Sequence, residues 1–268
     1  MIYFASDFHL GMPEGEISFQ RELKICAWLD KISEDASDVF LLGDTFDFWF
    51  EYKKVVPRGY VRFLGKLAQM TDSGIRIHIC VGNHDLWIED YLVKECGVRI
   101  FREPEIVQFG DTRFYIHHGD GLGPGDEKYK FLKKIFTNKL ANYLFGQLHP
   151  DFAFKLASGF SKKSRLNQPK REEHYLGNDR EFLLLHCEQI IAEYKKNKIT
   201  EESVPDYFIF GHRHLKLDIE LSNGHSRYIN LGEWFHGSAY VKFDGEQLEF
   251  LEFDETKKAS PEEEAFNL

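Results

Sequence analysis

The chain has 268 residues with 43% hydrophobic and 15% aromatic content, enough for one large core with room for an insertion, which excludes a disordered chain. Its formal net charge of −10 argues against a general affinity for nucleic acid. Four scattered cysteines (Cys26, Cys80, Cys96, Cys187) without a CxxC pair exclude a disulfide scaffold and predict reduced thiols.

The opening IYFASDFHL is a short β-rich run ending in polar groups. It lacks the basic n-region of a secretory leader, and no later apolar run approaches the roughly 18 residues of a membrane span. A cytoplasmic protein is therefore expected. Apolar positions at Leu23, Ala27 and Ile32 predict a helix over about 18–35, and DVFLLGD (38–44) reads as a strand buried on both faces. A helix over about 57–73, the strand RIHICVGNHD (76–85) and a short helix over about 87–95 follow. This β-α-β-α-β order predicts a largely parallel sheet covered by helices. The pattern IVQFGDTRFYIHH predicts a hairpin turning at Gly110-Asp111. A helix over about 179–197 precedes the strand DYFIFGH, and strand pairs are expected around Asn223-Gly224 and Asp244-Gly245. The acidic tail 256–268 is expected to be mobile.

Five segments share one design: an apolar strand stops, and Asp, His or Asn stands just beyond it. They are SDFH (6–9), GDTFD (43–47), GNHD (82–85), HHGD (117–120) and GHRH (211–214). A lone histidine after a strand is ordinarily a surface or capping residue, and an Asp before a turn usually serves a local hydrogen bond. Five such segments in order are not explained that way. In open α/β sheets, sites form beyond the carboxyl ends of strands, so the five ends would deliver their side chains to one place. A mixed set of carboxylate, imidazole and carboxamide suits borderline metals, whereas magnesium alone favours an all-oxygen shell. The candidate ligands are Asp7, His9, Asp44, Asn83, His118, His212 and His214. Seven ligands serve two four-coordinate sites only if one is shared, and the carboxylate of Asp44 is the best placed to bridge.

In order, D-x-H, G-D-x-x-D, G-N-H-D, H-G-D and G-H-x-H resemble the full signature of the calcineurin-like metallophosphoesterases, across residues 7–214. The resemblance implies an α/β fold, a β-sandwich flanked by helices (α/β/β/α). It implies a first metal at Asp7, His9, Asp44 and His214, and a second at Asp44, Asn83, His118 and His212. It also implies two divalent ions, manganese foremost with iron, zinc, cobalt or nickel as alternatives, and hydrolysis by activated water. His84 matches the family histidine that contacts the phosphoryl group without binding metal. Asp85 is expected to hold the orientation of His84, and His117 is a weaker candidate for a direct role.

The charge is uneven. Between Lys128 and Arg171 there are eleven Lys or Arg and one acid, so this stretch is +10 and the remainder −20. Within it, Tyr129, Leu132, Phe136, Leu140 and Tyr143 follow a 3-4-4-3 spacing that predicts one helical stripe opposite Lys130 and Lys134. A basic amphipathic segment following directly on HGD predicts contact with an anionic lipid or membrane surface. FLLGDTFDFWF, HGDGLGPGD, the basic insertion and INLGEW (229–234) together resemble the UDP-2,3-diacylglucosamine pyrophosphatases of lipid A synthesis, which release UMP and 2,3-diacylglucosamine 1-phosphate. That resemblance implies a catalytic domain of 1–121 and 177–255 and a helical cap of 122–176. Within the cap, Phe131, Phe136, Leu140, Tyr143 and Phe154 would line an acyl chamber, and Lys163, Arg165 and Arg171 would meet phosphates. The best-known branch of those enzymes reads G-N-R-D where this chain has Gly82-Asn83-His84-Asp85. The alternatives are a soluble metallophosphodiesterase or nucleotide phosphatase, and a non-catalytic binding protein on the same fold. The expected partner is the acylated UDP-sugar, with no nucleic acid and no protein partner evident.

Overall fold

The structure is a computed structural model and describes residues 1–125, 127–167, 174–175, 177–198 and 200–254, without the side chains of 158, 160–167 and 201. Strands β1 (Ile2–Ala5), β2 (Asp38–Leu42), β3 (Arg76–Cys80) and β4 (Arg99–Phe101) run parallel, connected through helices α1 (Glu16–Ile32), α2 (Val61–Asp72) and α3 (Tyr91–Cys96). The hairpin β5 (Glu105–Phe109) and β6 (Thr112–Ile116) starts a second sheet. Three helices follow, α4 (Glu127–Phe136), α5 (Lys139–Phe145) and α6 (Pro150–Asn167). Then come α7 (Phe182–Lys196), β7 (Tyr207–Phe210), β8 (Lys216–Glu220), β9 (Arg227–Leu231), β10 (Ala239–Phe243) and β11 (Leu248–Glu252). The sheet orders are β11-β10-β1-β2-β3-β4 and β5-β6-β7-β9-β8.

Side chains alternate across a strand, and here both faces are covered. Ile2, Phe4, Phe40 and Leu42 of the first sheet meet Phe114, Ile116, Ile209 and Ile229 of the second, forming the interior of a sandwich. Tyr3, Ala5, Val39 and Leu41 turn the other way, onto Ile25, Trp28, Leu29, Phe63 and Leu67 of α1 and α2. On the far side, Leu183, Leu184 and Cys187 of α7 cover Phe208, Phe210 and Tyr228. The result is the α/β/β/α order of layers that the sequence implied. It also explains why β1 and β2 read as unbroken apolar runs: neither face is wet.

One predicted element is corrected. The stripe from Tyr129 to Tyr143 lies on two helices, because α4 ends at Phe136 and α5 begins anew. Asn138 caps α5, its side chain accepting from the N–H groups of Leu140 (2.9 Å) and Ala141 (3.2 Å). A cap of this kind offers the backbone a better bond than helix continuation.

Candidate metal centre

The turns that carry the candidate ligands are stitched together where the strands end. Beyond β1 and β2 the hydrogen bonding continues, with Asp7 N–H donating to the Gly43 carbonyl (3.1 Å) and His9 N–H to the Asp44 carbonyl (2.8 Å). Gly211 N–H donates to the His118 carbonyl (2.9 Å), and Trp234 N–H to the Asp7 carbonyl (3.2 Å). Turns from both sheets are thereby locked at one end of the sandwich. Glycine is required by contact in several of these turns, as Gly43 and Gly82 show. A Cβ at Gly43 would stand 2.4 Å from His118 Nδ1, and one at Gly82 would stand 2.3 Å from Asp44 Oδ1.

Among the described residues, seven non-glycine residues have φ in the left-handed region, and five of them are Asp7, His9, Asp44, His212 and His214. Each such residue costs on the order of 1–3 kcal/mol and persists only where its surroundings over-determine it; such residues cluster at functional sites. The strain here falls on the predicted ligands.

Their donor atoms converge. His214 Nε2 lies 3.1 Å from Asp7 Oδ1 and 3.2 Å from His9 Nε2. Asp44 Oδ2 lies 3.6 Å from His9 Nε2 and 3.4 Å from His118 Nε2, so it stands between the two groups of ligands. Asn83 Oδ1 is 3.1 Å from His118 Nε2. His118 Nδ1 donates to the Leu42 carbonyl (2.8 Å), which turns Nε2 inward, the orientation of a histidine ligand held by an outer carbonyl. The ring of His212 packs edge-on to His118, with centroids 5.1 Å apart.

The electrostatics favour cations. Burial alone would raise the carboxyl pKa values of Asp7 and Asp44, but the surrounding imidazoles (His214 for Asp7, His118 for Asp44) hold both well below the usual carboxylate range. Burial opposes a charged His118, yet Asp44 and Asp7 raise its pKa to about 10. Burial and the neighbouring His118 lower His212 to about 4. Asp7 Oδ1 and His9 Nδ1 are buried and make no hydrogen bond. Two ionised carboxylates, inward imidazole nitrogens and an unsatisfied buried oxygen suit divalent metal ions, and Asp7–His9–His214 and Asp7–Asp44–His118 each gather ligand atoms within 4.8 Å.

Asp85 does not orient His84. Its carboxylate is fully buried and accepts from the N–H groups of Gly82 (2.7 Å), Thr45 (2.8 Å) and Phe46 (3.3 Å). It therefore pins the GNHD turn to the GDTFD turn, while burial and the Asp44 charge raise its pKa to about 7. Asp47, which sequence reasoning did not single out, meets His84 instead: its carbonyl lies 3.1 Å and its Oδ1 3.4 Å from His84 Nδ1. The second Asp of GDTFD was the available signal. His117 is buried, accepts from Gly119 N–H (3.0 Å) and donates to the Arg102 carbonyl (3.1 Å), so it shapes the HHGD turn.

The sequence pattern of the calcineurin-like phosphoesterases matches residues 1–216. The chain belongs to that family. As a calcineurin-like phosphoesterase it is a metal-dependent hydrolase. A protein of Porphyromonas gingivalis named UDP-2,3-diacylglucosamine hydrolase is 38% identical over 259 residues, covering 92% of this chain and 95% of that one. Proteins of the same name from Histophilus somni (24% over 252 residues; 93% and 98% covered) and Ectopseudomonas mendocina (25% over 258 residues; 96% and 99%) are also similar.

The residues expected to hold substrate are not gathered in one chamber. Phe154 packs edge-on to Phe48 (4.8 Å) and Phe136 lies against Trp87 (5.8 Å), both near the catalytic turns. Phe131, Leu140 and Tyr143 are exposed by 61–65%, because α4 and α5 lie on the protein with no buried residue of their own. Arg171 and the side chains of Lys163 and Arg165 lie outside the described residues.

Proposed function

We propose that this chain hydrolyses the pyrophosphate of UDP-2,3-diacylglucosamine to UMP and 2,3-diacylglucosamine 1-phosphate, a step of lipid A biosynthesis. The observation that carries the reading is the convergence of the five motif turns on one ligand cluster in a chain alike, over nearly its whole length, to a relative of that name. Asp7, His9, Asp44 and His214 would hold one divalent ion, and Asp44, Asn83, His118 and His212 the other, with manganese first among the candidates. When bound, such ions supply Lewis-acid activation of water and neutralise phosphoryl charge. The chain's own residues do the rest. Asp47 engages His84 Nδ1, and His84 Nε2 serves the leaving oxygen, stabilising its charge or giving it a proton. Asp85 keeps the two turns in register.

The cap is proposed to span residues 122–176, of which 126, 168–173 and 176 lie outside the described residues. Its exposed residues combine Phe131, Leu140, Tyr143, Leu144 and Phe152 with Lys128, Lys134, Lys139 and Lys155, a composition suited to an anionic membrane surface. Among the described residues no helix is long and apolar enough to cross a membrane. The enzyme is proposed to work in the cytoplasm, peripheral to the membrane that carries its substrate.

The test is turnover of UDP-2,3-diacylglucosamine in mixed micelles with added manganese, in ¹⁸O-labelled water, with products identified by mass. Labelled UMP and unlabelled 2,3-diacylglucosamine 1-phosphate are expected. Equal turnover of lipid-free dinucleotides would return the soluble phosphodiesterase reading, and full metal occupancy without turnover would return the binding protein.

A further inference from the structure

The first turn of α7 lies directly behind two of the ligand turns. Leu183 packs so close to the HHGD turn that a Cβ at Gly119 would stand 2.9 Å from its Cδ1. The Phe182 ring lies edge-on to His212, with centroids 6.2 Å apart. Glu181, just before the helix, is 1% exposed and makes an ion pair with Arg213, itself 6% exposed. Arg213 Nε donates to both carboxylate oxygens at 3.1 Å, and the Tyr228 hydroxyl donates to Glu181 Oε1 at 3.2 Å.

Arg213 is the residue between His212 and His214, both of which hold left-handed backbone conformations (φ 68° and 52°). Burying both charges is a poor choice for stability alone, since an apolar pair of similar volume generally does as well or better. The pair stands where a short strained turn must present two imidazoles in fixed directions. We infer that the Arg213–Glu181 ion pair is a positioning device that clamps the GHRH turn to α7 and sets the metal affinity of His212 and His214. Tyr228 fixes the carboxylate, the carboxylate fixes the guanidinium, and the guanidinium fixes the turn on both sides of it.

The inference rests on the metal reading proposed above, and the experiment separates the two. The apoprotein is titrated with Mn(II), its melting temperature is measured, and the visible spectrum of the Co(II)-loaded protein is recorded. Arg213→Met alone strands a buried carboxylate and lowers the apoprotein melting temperature. Adding Glu181→Gln removes that charge while leaving an acceptor for Tyr228, so the melting temperature recovers. Metal binding in the double variant stays weaker by about 10–100-fold, the usual effect of losing an outer partner of a metal ligand, and the Co(II) spectrum changes. Arg213→Lys keeps the charge without the planar fork and weakens metal binding about tenfold.

A double variant with recovered stability, wild-type Mn(II) affinity and an unchanged Co(II) spectrum overturns the inference. Should the double variant fail to fold, Arg213→Lys decides: wild-type affinity there overturns it equally. A wild-type protein that takes up no Mn(II) overturns the metal reading itself.

Discussion

The turns at the sheet ends and the helices that interrupt them are opposites in construction. Asp7, His9, Asp44 and His118 are at most 1% exposed; the first three hold left-handed backbones, and the turns of all four are cross-bonded. Helices α4 and α5 bury no residue, and Phe131, Leu140 and Tyr143 face solvent. The first region is buried and held by cross-bonds; the second carries large apolar residues that the fold leaves uncovered. The links that join them are aromatic and polar: Phe145 packs on Phe50 (4.9 Å) and Trp87 (5.0 Å), and Phe154 on Phe48 (4.8 Å). Tyr129 donates to Asp120, Lys133 pairs with the same carboxylate (2.7 Å), and Trp87 Nε1 donates to the Phe136 carbonyl (2.8 Å).

The largest effect should come from the centre of the rigid region. Asp44→Ala removes the oxygen that stands between His9 and His118. Metal analysis should fall from two ions per chain to none, and turnover to background. One fully occupied site in the variant would break the assignment of Asp44 as the bridge. His84→Ala comes next: two ions retained and turnover lowered by roughly 10²–10⁴-fold, the scale of general acid–base catalysis. Loss of metal there would instead make His84 a ligand.

The difference between the regions is also a difference in what sequence can reveal. The candidate ligands were legible because each is a polar residue type standing just after an apolar strand, and the motif turns that carry them meet at one end of the sandwich. Asp85 misled because adjacency to His84 suggested contact, whereas the turn puts its carboxylate beneath the N–H groups of Gly82, Thr45 and Phe46. Asp47 was missed because its partners, His9 and His84, lie far from it in sequence. The parallel β-α-β half was readable from local periodicity. The placement of β10 beside β1 joins residues 239–243 to 2–5, and no local pattern encodes it. In the helices, periodicity correctly marked the apolar positions but passed over the break at Asn138, whose cap is a side-chain bond.

A smaller effect tests the outer face. Phe131→Asp with Leu140→Asp changes two residues exposed by 64–65%, so stability should stay within about 0.5 kcal/mol of wild type. Binding to anionic vesicles and turnover of the acylated substrate should fall about tenfold, while hydrolysis of a small chromogenic phosphodiester stays unchanged. Equal losses on both substrates would mean that these residues support the motif turns.

The smallest expected effect asks whether the two regions open separately. Trp87 packs against Phe145 with ring centroids 5.0 Å apart, and its indole N–H holds the last turn of α4. Trp87→Phe keeps an aromatic ring there, deletes the hydrogen bond and trims the indole contacts with Phe136 and Phe145. The Phe136 carbonyl lies on a residue 37% exposed and can turn to water, so the lost bond should cost about 1 kcal/mol, and the lost ring area adds somewhat more. If the helices open as a unit of their own, that cost appears locally. Amide exchange over 127–145 should quicken roughly five-fold or more, with exchange in β1 and β2 unchanged. If β1 and β2 quicken by the same factor, the helices and the catalytic turns unfold together. The rigid region would then owe part of its order to the exposed one.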